Sequence, residues 1–511
     1  MEDIGEFVAT LAREGVLLEA DGERLRYKAA PGALHPRSLS TLRERKQEIL
    51  AYLQNSVSPG HPDGGKWLPL SYAQEALVKA YERMSELSTQ HLCVARRLVG
   101  SVDVPKIEAA VNALVVRHPA LRTRYGRDPA GQWRAEIVDS WRVPVATNDF
   151  SKVPGPARDE GVRHWISELR HERFGLDTGP LLRAGVARLT DVEYVLALIL
   201  HHSIVDFWSC NVLIRDLLMT YTALVRGEEP RLPPLLTDFC DHVRSVREFV
   251  HSDSGRGQLN YWRSLLSGVE DPFALPADRP PPLSGLPGGA EHLRIDGPGV
   301  ARLKKLAQER KTTLQTIVLS AYVASLQAWS GTRTVLVAVA HFGRHTRELW
   351  DLVGCFIQCW VLRADVSAAM SFPDLIDHVA DRWAQAQRHV HYPFAPLKSE
   401  LARQSRENPL LHITFNYRPP GNATTAAGEL QTSPFELGSQ PEILDEGRGE
   451  KLNLTVLEFE DRIEGMVRYS PARFHRATIQ AFLARLQSLL QEPERNAGFA
   501  EPLLQSITPS S

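Results

Sequence analysis

His201-His202-Ser203-Ile204-Val205-Asp206 follows directly on the apolar run Val192-Glu193-Tyr194-Val195-Leu196-Ala197-Leu198-Ile199-Leu200. A run this short, rich in β-branched and aromatic residues, reads as a buried strand. The next segment, Phe207-Trp208-Ser209-Cys210-Asn211-Val212-Leu213-Ile214-Arg215-Asp216-Leu217-Leu218, carries its apolar residues at helical spacing. Two histidines therefore stand where a strand ends and the chain turns toward a helix. That is a rigid place from which a side chain faces a cleft. Neighbouring residues leaving a strand point to opposite sides, so one imidazole is expected to face substrate while the other packs.

Size and composition set the outer bounds. A chain of 511 residues exceeds one ordinary core and implies two or three domains. Its 43% hydrophobic and 23% charged content is that of a globular protein. A formal net charge of −2 argues against a general nucleic-acid binder. No stretch approaches the ~18–20 uncharged apolar residues of a membrane span, and Met1-Glu2-Asp3-Ile4-Gly5-Glu6 is acidic where a signal peptide is basic. Cys93, Cys210, Cys240, Cys355 and Cys359 are scattered and suggest no disulfide framework. Cys355 and Cys359 lack further ligands at metal spacing, and no Gly-rich phosphate loop is present. The expectation is a cytoplasmic monomer with no metal, nucleic-acid or membrane partner.

Residues 1–55 have a logic of their own. Ile4, Phe7, Val8 and Leu11 recur at helical spacing, with Gly15 as a stop. Asp21-Gly22 between two strand-like runs is a hairpin signal, because a type I′ turn needs positive φ at both central residues. Leu39, Leu42, Ile49, Leu50 and Leu53 mark a second helix, with Ser38 or Ser40 as the candidate cap. Seven acidic residues and one basic lie between Met1 and Glu23, but seven basic and one acidic between Arg24 and Lys46. Such asymmetry steers an acidic peptide to the second half, with Leu18, Arg24, Arg26, Lys28 and Arg43 as candidate contacts. A solvated face of a small helical domain is the alternative explanation of the charges taken alone. Residues 56–67, rich in Pro and Gly, read as a linker. A second Pro/Gly-rich stretch, Pro272 to Gly289, divides the remainder into halves at 68–271 and 272–511.

Several further stretches share a pattern with the histidine motif. Ser71-Tyr72-Ala73-Gln74 precedes a helix. Arg117-His118-Pro119-Ala120-Leu121-Arg122-Thr123-Arg124-Tyr125 reads as a helix end broken by Pro119 and then a strand. Gly343-Arg344, Leu352-Val353-Gly354-Cys355-Phe356-Ile357-Gln358, His391-Tyr392-Pro393-Phe394 and Asn408-Pro409-Leu410 follow in order. Together with His-His-x-x-x-Asp, these stretches resemble the motifs of the condensation domains of non-ribosomal peptide synthetases, within the chloramphenicol acetyltransferase-like superfamily. The first fifty residues resemble the small β-hairpin docking domains of synthetase subunits.

The resemblance implies an α/β fold of two chloramphenicol acetyltransferase-like halves in a V around a central tunnel, preceded by a small α+β docking domain. It implies transfer of an acyl chain from a carrier-protein phosphopantetheine thioester to an amine or hydroxyl. His202 is then the general base or positioning acceptor, since an imidazole is suited to take a proton near neutral pH. His201 is expected to pack. Asp206 is expected to hold the loop by a buried ion pair, with Arg344 as the first candidate partner and Arg122 the second. The family usually has Gly where Phe207 stands; Phe keeps the N–H but adds bulk and disfavours positive φ. No cofactor is expected beyond the arm that the carrier brings. The implied partners are an upstream carrier protein or synthase subunit with a short acidic C-terminal peptide, and a small-molecule acceptor. With no adenylation or carrier motif in the sequence, chain release onto a small free acceptor in a polyketide or non-ribosomal peptide pathway is the expected variant. A coenzyme A-dependent acyltransferase and an inactive interaction module are the alternatives.

Overall fold

The apolar run forms a strand, Glu193–His201, buried from Val195 onward. In the computed structural model the described residues are 11, 16–21, 24–29, 36–49, 67–83, 90–267, 275–279, 288–367, 370–402, 413–419, 425–427, 430–437 and 452–493. The chain divides into two compact units, Met1–Trp67 and Leu68–Ser511.

In the first unit β1 (Val16–Asp21) pairs antiparallel with β2 (Arg24–Ala29), Leu18 opposite Tyr27 and Asp21 opposite Arg24. This is the hairpin the Asp-Gly signal predicts. Helix α1 (Pro36–Glu44) starts ahead of both candidate caps, and Ser40 instead donates to Glu44 at 2.7 Å. The side chains of Leu18, Arg24, Arg26, Lys28 and Arg43 lie outside the described residues, as do the Ile4–Val8 segment, the linker from 56 to 66 and the Asn408-Pro409-Leu410 stretch.

The second unit opens with α2 (Tyr72–Arg83), β3 (His91–Val99), α3 (Val104–Arg117) and the ribbon β4 (Thr123–Arg127) and β5 (Trp133–Ile137). Then come β6 (Val145–Asp149), α4 (Gly155–His171), β7 (Leu182–Arg188), β8 (Glu193–His201) and α5 (Phe207–Arg226). Helices α6 (Phe239–His251) and α7 (Asp253–Leu266) lead to β9 (Gly289–Ile295), α8 (Gly297–Glu309), α9 (Leu314–Ser330) and β10 (Thr334–His341). The chain ends its regular structure with β11 (Gln358–Asp365), α10 (Phe372–Ala386), α11 (Phe394–Ala402), β12 (Ile413–Arg418), β13 (Thr425–Ala427), β14 (Leu430–Pro434), β15 (Leu452–Glu458), β16 (Ile463–Tyr469) and α12 (Arg476–Gln491).

Two six-stranded mixed sheets result, ordered β13-β14-β3-β8-β7-β6 and β9-β16-β15-β12-β10-β11. These are the α/β halves of a chloramphenicol acetyltransferase-like fold. In the first, β8 lies between β3 and β7, with His201 opposite His91 and Leu200 opposite Leu182. Being paired on both edges and covered on both faces, it needs apolar residues at every position, which explains the unbroken run. In the second, α9 is buried at 14 of its 17 positions. A helix apolar all round sits inside a core rather than on it. Thr313 caps its start, and Gly331 ends it at φ 69°, a left-handed conformation that favours glycine. Among the described residues no helix is long and apolar enough to cross a membrane.

The halves read from the sequence are not separate in packing. Trp262 on α7 is buried in the core of the second half and donates its indole N–H to the His389 carbonyl at 3.0 Å. Conversely, β14 joins the first sheet, Gln431 opposite Val99 and Pro434 opposite Arg96, and Leu430 and Phe435 fill the first core. Pro/Gly punctuation shows where regular structure stops; it carries no information about which sheet a later strand joins.

Candidate active site

The site is the turn between β8 and α5. Antiparallel pairing continues to its first residues, because the His201 N–H reaches the Leu181 carbonyl at 3.0 Å and the His202 N–H reaches the Gln90 carbonyl at 2.7 Å. The turn closes with Ile204 N–H on the His201 carbonyl at 3.1 Å. Alternation then separates the two imidazoles. His201 is wholly buried, its Nδ1 2.7 Å from the Ser203 hydroxyl, its ring edge-on to Tyr81 at 4.5 Å. His202 is half-buried, and its Nδ1 donates to the Val205 carbonyl at 2.8 Å. A carbonyl only accepts, so this bond puts the proton on Nδ1 and the lone pair on Nε2.

Asp206 ends the turn and begins α5. One carboxylate oxygen caps the helix, accepting from the Ser209 N–H at 2.7 Å and its hydroxyl at 2.8 Å. The other accepts from Arg344 Nη1 at 2.8 Å and the Phe356 N–H at 3.0 Å. Both charged side chains are only 2% exposed. Arg344 continues to the Ser209 hydroxyl at 2.8 Å and the Leu352 carbonyl at 3.0 Å, with Phe356 lying under its guanidinium at 3.9 Å. Burial pulls the guanidinium below its usual range, and Asp206 opposes that shift. Ser209 also joins Gly354, accepting from its N–H at 3.1 Å, while the Ser209 hydroxyl, with a single proton to share, lies 2.8 Å from both the Asp206 carboxylate and the Gly354 carbonyl. One acidic side chain thus fastens the helix that follows the histidines to the loop from 343 to 356.

Two glycines make this loop possible. Gly343 has φ 65°, and a Cβ there would stand 2.0 Å from the Phe356 carbonyl oxygen. At Gly354 a Cβ would meet the Phe239 ring at 2.3 Å.

Arg122, the second candidate partner of Asp206, is elsewhere. It donates to the carbonyls of Val115 at 3.1 Å and Val138 at 2.6 Å, tying a helix end to the β4–β5 ribbon. Its neighbours Arg117 and His118 reach buried Asp216 at 3.0 and 3.2 Å, joining α3 to α5. Phe207 also departs from expectation. It is the first residue of α5, and the positive-φ residues do not include it, so the backbone there is unstrained. Its half-buried ring lies under the Arg418 guanidinium at 4.6 Å, a contact between the two halves.

The sequence reading missed Gln74, Tyr125, Ser203 and Ser209 as parts of the site. Ser209 carried a signal the sequence reading did not use, since it stands three residues after Asp206, a residue type suited to an N-cap. Gln74 and Tyr125 lie 129 and 78 residues before Ser203, beyond the reach of any local pattern. Among the described residues no group of three metal-ligating side chains comes together.

Buried imidazoles give the site a pH dependence. Burial chiefly lowers His91 to about 4 from 6.5, and the Arg183 guanidinium adds to this against the hydrogen bond to the Arg170 carbonyl. Burial, and then His91, holds His201 well below the ordinary value. Both are neutral in the folded chain at pH values where the unfolded chain binds protons. Their stabilisation is therefore whole above 6.5 and is lost as the pH falls toward 4. For His91, which is 1% exposed, the loss is about 3 kcal/mol at the lower end. The melting temperature should start to fall near pH 6.5, above the range where exposed carboxylates titrate. A melting temperature flat from pH 7 to pH 5 would count against buried neutral imidazoles.

Comparison with known proteins adds an independent finding. A family model described as Condensation domain matches residues 66–496, and one described as TubC N-terminal docking domain matches residues 4–55. One of the linear gramicidin synthase subunits of Brevibacillus parabrevis is 32% identical over 441 residues, which is 84% of this chain and 8% of that protein. The chain thus spans a small fraction of that relative's length. In fold it is similar to the X-domain from teicoplanin biosynthesis, with TM-score 0.72 and 23% identity, covering 86% of this chain and 98% of that one. It is similar also to the first condensation domain of the calcium-dependent antibiotic synthetase, with TM-score 0.71 and 18% identity over 85% and 98% of the two chains.

Proposed function

Because the chain belongs to the condensation-domain family, we propose that it transfers an acyl chain from the phosphopantetheine thioester of a carrier protein to an amine or hydroxyl acceptor, with His202 as the group that takes the acceptor's proton. One observation carries this reading. The Nδ1–H of His202 is spent on the Val205 carbonyl, so the basic lone pair of the neutral ring belongs to Nε2, and the turn that carries the ring is held on both sides. The acceptor must lose a proton as it bonds to the thioester carbon, and the thiolate that leaves recovers one. A neutral imidazole can do both in sequence. Holding both substrates beside it supplies much of the rate.

The acceptor is a small free molecule in this proposal. Phe207 and the Arg418 guanidinium over its ring fill space beside the turn that a residue without a side chain would leave open. Delivery of the donor is assigned to the N-terminal unit, which matches a docking-domain model. An acidic peptide from an upstream subunit would add a strand to the β1–β2 hairpin, next to the basic run that starts at Arg24.

The test is to incubate the protein with an acyl-loaded carrier and candidate amines or alcohols, each offered free and tethered to a second carrier. Mass spectrometry then follows the acyl chain on the donor arm. Loss of the chain only with free acceptors is the expected result. Reaction with tethered acceptors alone would overturn the release variant. Equal turnover of acyl-coenzyme A would overturn the need for a carrier.

A further inference from the structure

The geometry points to Gln74 and Tyr125 as positioning residues for His202, acting through the carbonyl of Ser203; this rests on the acyl-transfer reading above. The two side chains come from α2 and β4 and converge on one oxygen. Gln74 Nε2 donates to the Ser203 carbonyl at 3.1 Å, and the Tyr125 hydroxyl donates to the same carbonyl at 3.1 Å. The second Nε2 proton goes to the Tyr125 hydroxyl at 3.1 Å. Both lone pairs of the carbonyl are therefore taken, and the triangle has no spare donor. Its orientation is fixed at the far end as well. The Gln74 Oε1 accepts from the Ser71 N–H at 2.9 Å, while the Ser71 hydroxyl accepts from the Gln74 N–H at 3.1 Å. This reciprocal pair is a capping box, and it leaves the amide only one way to face.

All three residues are sealed from water, Gln74 at 4%, Tyr125 and Ser203 at 0% exposure. Burial pushes the Tyr125 phenol well above its ordinary range, so it remains a donor throughout the working pH range. Ser203 is the residue after His202, and its N–H lies on His201 Nδ1 at 3.2 Å. The Ser203–Ile204 peptide leads directly to Val205, whose carbonyl holds the His202 ring. Fixing the Ser203 carbonyl thus fixes both the peptide behind His202 and the acceptor in front of it. A group that must meet a reacting atom to within about 1 Å loses up to ~10²-fold in rate when that support is released.

Tyr125→Phe and Gln74→Leu, singly and together, test this in the full chain. Each keeps the buried shape; Tyr125→Phe removes one donor, and Gln74→Leu removes both amide donations and the acceptor of the Ser71 N–H. The expected result is a fall in kcat of roughly tenfold or more for each, with KM for acyl-carrier and acceptor little changed. The double variant should fall less than the product of the two, because both donors serve one oxygen. Its pH–rate profile should keep the parental shape, since Tyr125 does not titrate in that range. Parental kcat in both variants overturns the inference, as does a fall in kcat that merely follows a lost folded fraction at the assay temperature. If the parent makes no product with any acceptor, the acyl-transfer reading itself has failed; if it makes product and His202→Ala makes as much, the role of His202 has failed.

Discussion

Replacing His202 with alanine should lower the rate of acyl transfer by about 10²–10⁴-fold while the protein stays folded. The expectation separates chemistry from architecture because the two histidines are placed so differently. His202 is half-buried, and its ring holds the Val205 carbonyl. Losing that bond costs on the order of 1 kcal/mol of stability. His201 is wholly buried against Tyr81 and the Ser203 hydroxyl, so alanine there opens a cavity in the first core. The check is single-turnover mass spectrometry of the acyl chain, with thermal melts run alongside. A His202→Ala protein that melts like the parent and transfers acyl groups at the parental rate would remove the imidazole from the mechanism.

How much of this was open to reading from the sequence depends on the distance over which each feature is encoded. Strand β8 and helix α5 were legible because an unbroken apolar run and a 3.6-residue period are local patterns. Asp21-Gly22 identified the hairpin for the same reason. The pairing of Asp206 with Arg344 spans 138 residues and was legible only through the family's motifs; Arg122 looked equally suitable by charge, yet it serves carbonyls near its own helix. Gln74, Tyr125 and Ser203 all lie in stretches that resemble the family's motifs, but the resemblance did not say that they converge. The residue types of Gln74 and Tyr125 fit a helix cap and a strand, and nothing in either stretch names a partner. The crossing of β14 into the first sheet was hidden likewise, since a strand's sequence records which face is buried and not which edge it joins.

The second large effect belongs to Asp206. Substituting it with alanine should destabilise the protein by about 3–5 kcal/mol. The carboxylate receives the Ser209 N–H, the Phe356 N–H and an Arg344 N–H, with a share of the Ser209 hydroxyl proton. Losing it leaves a guanidinium that is 2% exposed without its counter-charge, which is the costly half of breaking a buried pair. Loss of the helix cap adds about 1 kcal/mol. Asp206→Asn keeps the oxygen that caps α5 and most of the shape, so it should fall between the parent and the alanine variant. Arg344→Ala should be similarly damaging, and the double variant Asp206→Ala, Arg344→Ala should lose clearly less than the sum, since no unpaired charge then remains. Denaturant unfolding of the four proteins measures this coupling directly. Additive losses would mean that the two residues stabilise the fold separately. The bond also reaches function, because it joins the helix immediately after the His202 turn to the loop from 343 to 356. Activity of Asp206→Asn, assayed well below its melting temperature, should therefore drop more than its remaining folded fraction explains.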